Sequence, residues 1–304
     1  MFSRTRLIGG LTLLVAVVVL ENGLHAQEGY GPRPGNPYGY QRPAPQPGYM
    51  PHRLAERTSP VQASLPSSTP AQPAEHPLVP AIRWAHEGLA NIEKIRDYTA
   101  TVVKRERIGG TLGEHEYMFV KVRHKPFSVY LHYLGPPDKR GQEVIYIDGQ
   151  NNGKMWAHGT GMQKTMFGTI SLAPDGMIAM RGQLYPVTEL GILNLVRRLI
   201  EVGEEDMKYG ECDVRFIEGA KINGRQCTCI EVMHPVPRRN FLFHRARIFV
   251  DEELNVPIRY AAYDWPKQPG EQPPVMEEYT YLDLKLNVGL TPADFDTRNP
   301  NYQF

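Results

Sequence analysis

The chain has 304 residues, with 34 Lys and Arg against 33 Asp and Glu. A balance this close to neutral, without a basic stripe, argues against a nucleic-acid partner. It has three cysteines and no Gly-x-Ser-x-Gly elbow, His-Glu-x-x-His pair or phosphate-cradling glycine loop, so the sequence points to no metal, cofactor or catalytic residue.

At the N-terminus, Arg4 and Arg6 precede an apolar run from Leu7 to Leu20, and small and polar residues follow up to Ala26. That order is a secretory signal peptide, with cleavage after Ala26 and a periplasmic or secreted product. The run is shorter than the roughly 20 residues a membrane-crossing helix requires, so the mature chain is expected to carry no membrane span. Residues 27–77 hold 12 of the 27 prolines. Gly, Tyr and Pro dominate there, as in Gly29-Tyr30-Gly31-Pro32, and apolar residues are too few to offset the entropy of ordering. This segment reads as a disordered linker, with its tyrosines as possible contact points for an envelope partner.

The folded part, residues 78–304, opens with Leu78, Ile82, Ala85, Leu89 and Ile92 at helical spacing. Five alternating segments follow, at 98–106, 116–123, 127–134, 143–148 and 154–158. The turn signals between them include Gly109-Gly110, Lys125-Pro126 and Asp148-Gly149. Links this short join antiparallel strands. A second helix is predicted over 189–202, with Thr188 as its N-cap. Strands resume at 212–218, 226–234, 244–251, 256–264 and 275–286. The sum is an α+β fold: one large antiparallel sheet of about ten strands, curved into an open, incomplete β-barrel and covered by two or three helices.

The helix followed by Tyr98-Thr99-Ala100, the Lys125-Pro126-Phe127 entry and the Asp148-Gly149 turn resemble the LolA/LolB-type periplasmic lipoprotein carriers. So does the hairpin of Ile248-Phe249-Val250-Asp251 with Val256-Pro257-Ile258-Arg259-Tyr260. The ending Tyr281 to Leu290, then Thr291 to Phe295, is similar to an exported bacterial family of unknown function related to those carriers. The resemblance covers 78–295. It implies a LolA-like open barrel that receives acyl chains, and hence a lipid or acylated protein as partner.

Several residues are candidates for lining such a hollow. Met118, Val120 and Val122 share one strand face, as do Phe127, Val129, Leu131 and Tyr133; Tyr146 and Trp156 occupy neighbouring strands. The 159–186 connection holds Met162, Met166, Met177 and Met180 with Phe167, and unbranched thioether side chains suit a lid over an apolar ligand. Periodicity alone leaves the strand faces readable either as lining or as closed core. Cys212 is a disulfide candidate with Cys227 or Cys229. His115, His124, His132 and His158 sit on or beside strands and read as surface or hydrogen-bonded groups. The expected function is a non-enzymatic carrier or sensor of a lipid or acylated ligand. The alternative is an envelope scaffold that uses the Pro/Tyr arm and a sheet edge, with a filled core.

Overall fold

The computed structural model describes residues 75–161 and 168–304. The predicted signal peptide, nearly all of the proline-rich linker, and Met162, Met166 and Phe167 lie outside them. A first helix, α1, spans Val79–Ile92, with Pro80 in its first turn where a missing N–H is harmless. Seven strands follow: β1 Asp97–Ile108, β2 Thr111–Leu112, β3 Glu116–Arg123, β4 Ser128–Gly135, β5 Glu143–Ile147, β6 Met155–His158 and β7 Thr169–Leu172. A second helix, α2, covers Ile192–Asp206. The chain then forms β8 Asp213–Ile222, β9 Arg225–Met233, β10 Arg245–Asp251, β11 Pro257–Tyr263 and β12 Val275–Leu286.

All twelve strands belong to one antiparallel sheet. Its order is β7-β6-β5-β4-β3-β1-β12-β11-β10-β9-β8, with β2 pairing only to β1. The edge strands β7 and β8 do not meet, so the sheet stays open. The expected class is therefore observed, with two short strands beyond the ten foreseen. One of them, β7, lies in the connection read from sequence as a loop. It continues the sheet by pairing Met155–His158 with Leu172–Thr169.

Both helices cover one face, here called inner. Isoleucines and valines of α2 (Ile192, Val196, Ile200) pack on Tyr98, Val102, Val120, Val122, Val129, Ile258 and Tyr281. Leu78 and Ala81 at the start of α1 pack on Ile230, Val232, Ala246 and Ile248. The helices approach closely at Gly203, where a Cβ would collide with Ile82 Cδ1. The outer face over β4 and β5 is covered by residues 290–304. Phe295 is buried against Tyr130, Ile145 and Ile147, and Tyr302 stacks on Tyr130 with ring centroids 4.0 Å apart.

Two sequence expectations are corrected. Helix α2 starts at Ile192, not 189, and its N-cap is Gly191 at φ 116° rather than Thr188. The 187–189 stretch is a separate 3-10 turn. A Cβ on Gly191 would stand 2.9 Å from the Tyr98 hydroxyl, and that hydroxyl accepts the Ile192 N–H at 3.1 Å. The buried tyrosine thus replaces a Ser or Thr cap.

The cysteines are all free and buried. Strand register pairs Asp213 with Met233, Ile217 with Cys229 and Ala220 with Cys227. Cys212 therefore lies at the His234 end of the hairpin, too many residues along β9 to bridge either cysteine.

Regular alternation also fails in β12. Asp283 adopts φ 52° and the pairing with β1 slips between Thr99 and Thr101. Tyr281 consequently shares the inner core with Leu284 and Leu286, residues that an unbroken strand would place on opposite faces.

Candidate ligand cavity

The inward ladder of β1 reads Tyr98, Ala100, Val102, Lys104, Glu106, every one of them buried. Its first rungs are sealed by α2, whose Ile192 and Val196 close over Tyr98, Val120, Val122 and Val129. Beyond Val102 the helix no longer fills the space. A cavity of about 1070 Å³ opens there, bounded by β1, β3 to β6, β11, β12, the 174–191 connection and one side of α2. That is at the upper end of the roughly 300–1,000 Å³ typical of ligand sites. Its wall grades from apolar Val102, Met118, Leu131, Val144 and Met155 to a polar pole at Lys104, Glu106, Glu277 and Tyr279.

The polar pole is tightly connected. Lys104 Nζ lies 3.0 Å from Glu106 and 3.6 Å from Glu116, and it also donates to Gln183. Glu116 takes a second ion pair from Lys139. Glu106 further accepts the Leu184 N–H at 3.2 Å and the Tyr279 hydroxyl at 2.6 Å. Glu277 accepts hydroxyls from Tyr279 at 3.0 Å and Tyr185 at 3.3 Å. Burial raises the Glu277 carboxyl above its ordinary range; the hydroxyls of Tyr279 and Tyr185 pull it back down, and Glu106 pushes it up again. Burial, with Glu277 and Glu106 close by, also lifts Tyr279 far above the usual phenol range, so it stays a neutral donor. The connection is therefore fastened over the cavity by Gln183, Leu184 and Tyr185.

Of the residues picked from sequence, Met118, Leu131 and Tyr133 line this cavity. Val120 and Val129 belong instead to the sealed core under α2, and Phe127 packs against its edge. Tyr146 is buried beside Phe127, with ring centroids 6.1 Å apart, and is not part of the wall. Trp156 faces the outer side, next to Ile145 and the C-terminal segment. Met177 is 91% exposed and Met180 is half-buried outside the wall. The thioethers of Met177 and Met180 therefore do not form the lid; Pro174, Ala179 and residues 183–191 do the covering.

Sequence reasoning missed Lys104, Glu106, Glu277 and Tyr279. The available signal was phase: Lys104 and Glu106 continue the same alternate positions as Tyr98, Ala100 and Val102, so charge appears where apolar residues are due. His115 pairs with Glu278, and His132 with Glu143. Among the described residues no group of three or more His, Cys, Asp or Glu is placed to hold a metal ion.

A second, apolar cavity of about 100 Å³ lies between α1, α2 and β9 to β11. Asp206 lies on its wall, with a carboxylate oxygen 3.3 Å from His234 Nε2. Burial, assisted by Glu205, raises the Asp206 carboxyl to about 6, with His76 opposing. Burial lowers His234, whose ring stacks on Phe241 at 3.9 Å.

Residues 95–304 match the family described as protein of unknown function DUF1571. The chain belongs to that family. No curated protein matches it. Similar solved structures include the Mycobacterium tuberculosis lipoprotein LppX, with 12% identity, 72% of this chain and 100% of the other covered, and a TM-score of 0.41. A putative outer membrane lipoprotein-sorting protein domain from Vibrio parahaemolyticus shows 13% identity over 71% and 95% of the two chains, with a TM-score of 0.34. The Pseudomonas aeruginosa MucA/MucB complex matches at 17% identity over 71% and 60%, with a TM-score of 0.38. At scores below 0.5 these likenesses assign no ligand to this chain.

Proposed function

We propose that this DUF1571 protein is an exported, non-enzymatic carrier or sensor that holds an amphiphile, a lipid or an acylated ligand, inside its open β-barrel. The observation that carries this reading is the graded cavity. An acyl chain fits against Val102, Met118, Leu131 and Met155, and a polar head fits at the Lys104, Glu106 and Glu277 end, so both ends of an amphiphile find matching surroundings. A scaffold with a filled core has no use for 1070 Å³ of lined space. Binding is favoured over catalysis because the Lys104, Glu106, Glu277 and Tyr279 groups on the wall are bonded to one another. Export rests on the Arg4 to Ala26 leader, with residues 27–77 as the linker that precedes the folded part in the mature chain. No helix among the described residues is long and apolar enough to cross a membrane.

The test is an uptake assay with a fluorescent fatty acid and a fluorescent alkylamine on the mature chain and on Met118→Trp, which fills the apolar wall. Saturable uptake by the parent, weakened by about 10-fold or more in the variant, supports the reading. Equal uptake by both, or none by the parent, contradicts it.

A further inference from the structure

Glu106 and Glu277 are directly opposite on β1 and β12, both facing the cavity and only 7% and 8% exposed. Like charges so placed repel, and a buried carboxylate without a counter-ion is strongly unfavourable. Glu106 has its cation in Lys104 at 3.0 Å. The other basic residues on the cavity wall make their ion pairs and hydrogen bonds elsewhere. Arg197 pairs with Glu93; Arg198 pairs with Glu201 at the surface, and its charge also acts on Tyr185 and Tyr260 without an ion pair to Glu277. Arg107 gives its guanidinium to the carbonyls of Val275 and Gly110. Among the described residues Glu277 has no cationic partner; it has only phenols.

Those phenols are the second observation. Tyr260 and Tyr279 are cross-strand neighbours whose rings run parallel, with centroids 6.4 Å apart. Tyr185 reaches the same carboxylate from the connection. Tyr279 has one hydroxyl hydrogen for two carboxylates, and it lies nearer Glu106 at 2.6 Å than Glu277 at 3.0 Å. Tyr260 also reaches Glu277 with its hydroxyl, so the carboxyl is met by three neutral phenols and by no charge that balances its own. A carboxylate ringed by tyrosines is the chemistry that recognises an ammonium group.

We infer that this pole of the cavity binds the positively charged head of an amphiphile, a primary or quaternary amine, with Glu277 as counter-ion and Tyr185, Tyr260 and Tyr279 as its cage. The inference rests on the carrier reading and specifies its ligand class. The cationic head supplies the charge that Glu277 lacks, and the alkyl chain runs toward Met118 and Leu131.

The probes are dodecylamine, dodecyltrimethylammonium, dodecanol and dodecyl phosphate, each titrated calorimetrically below its micelle concentration. The two cationic probes are expected to bind about 10- to 100-fold tighter than dodecanol. In Glu277→Gln that ratio falls to about one. Tyr185→Ala, at a half-exposed position, lowers it by about 3- to 10-fold as an independent check. An unchanged ratio in Glu277→Gln means that the carboxyl simply holds a proton, and overturns the inference. So does tightest binding of dodecyl phosphate, which assigns the head to Arg107. Equal binding of all four probes leaves the carrier reading standing and removes the ammonium site, whereas binding of none removes both.

Discussion

Glu106 and Glu277 share the single hydroxyl of Tyr279 across the β1–β12 pair, at 2.6 and 3.0 Å. Only Glu106 is compensated by a lysine. The sheet therefore carries one buried carboxyl whose charge is favoured only when something else enters the cavity.

This asymmetry sets a pH dependence. Burial raises Glu277 above its unfolded value of 4.5, so the native state holds a proton that the unfolded chain releases first. Its contribution to stability is present below that unfolded value and is lost as pH rises through the raised native value. Glu277→Gln removes the loss. Urea unfolding is expected to show the variant gaining on the parent between acid and alkaline pH. Parallel stability profiles would contradict this.

Ligand and proton compete for the same carboxyl. Cationic probes are therefore expected to bind more tightly as pH rises through the raised native value of Glu277, with release of protons measurable by calorimetry in buffers of different ionisation enthalpy. Dodecanol should show neither effect. Amine binding without proton release at mildly acid pH would count against Glu277 as the counter-ion.

Asp206 provides a second titration, away from the large cavity. It faces His234 at 3.3 Å, with Glu205 and His76 also acting on it and Cys212 nearby. Its carboxyl sits at about 6, against 3.8 when unfolded. Its stabilising proton is thus held below that window and lost as pH rises across it. Relative to Asp206→Asn, the parent should gain stability as pH falls from neutral to about 4, by at most roughly 3 kcal/mol. A constant difference would show that Asp206 does not titrate there.

The start of α2 is expected to be sensitive. Tyr98→Phe leaves the buried Ile192 N–H without its acceptor, at a cost of about 1–3 kcal/mol. Gly191→Ala combines an unfavourable positive φ with a clash on the Tyr98 hydroxyl, costing about 2–4 kcal/mol. Chemical denaturation measures both. Values within ~0.5 kcal/mol of the parent would mean that another group caps the helix.

The sheet was legible because its strands alternate and its links are short, so each hairpin announces itself locally. What failed was whatever depends on two segments meeting. The N-cap moved from Thr188 to Gly191 because Tyr98, far away in sequence, supplies the capping oxygen. The Cys212 pairing failed because hairpin register, not proximity in the sequence, decides which side chains face each other. Trp156, a lining candidate, faces away from the cavity because the C-terminal segment turns the outer face of β5 and β6 into a second core. The faces of β3 and β4 proved to be both core and lining: Val122 and Val129 lie under α2, while Met118 and Tyr133 lie beyond its reach. The polar pole escaped notice because charged residues within a strand look solvated until the opposite wall is known.

Native mass spectrometry of the mature protein, purified gently from its own envelope, tests the central claim most directly. A population carrying the added mass of a bound amphiphile, lost on organic extraction and diminished in Met118→Trp, is the predicted result. A spectrum of bare polypeptide that takes up no fatty acid or alkylamine when these are offered would contradict it.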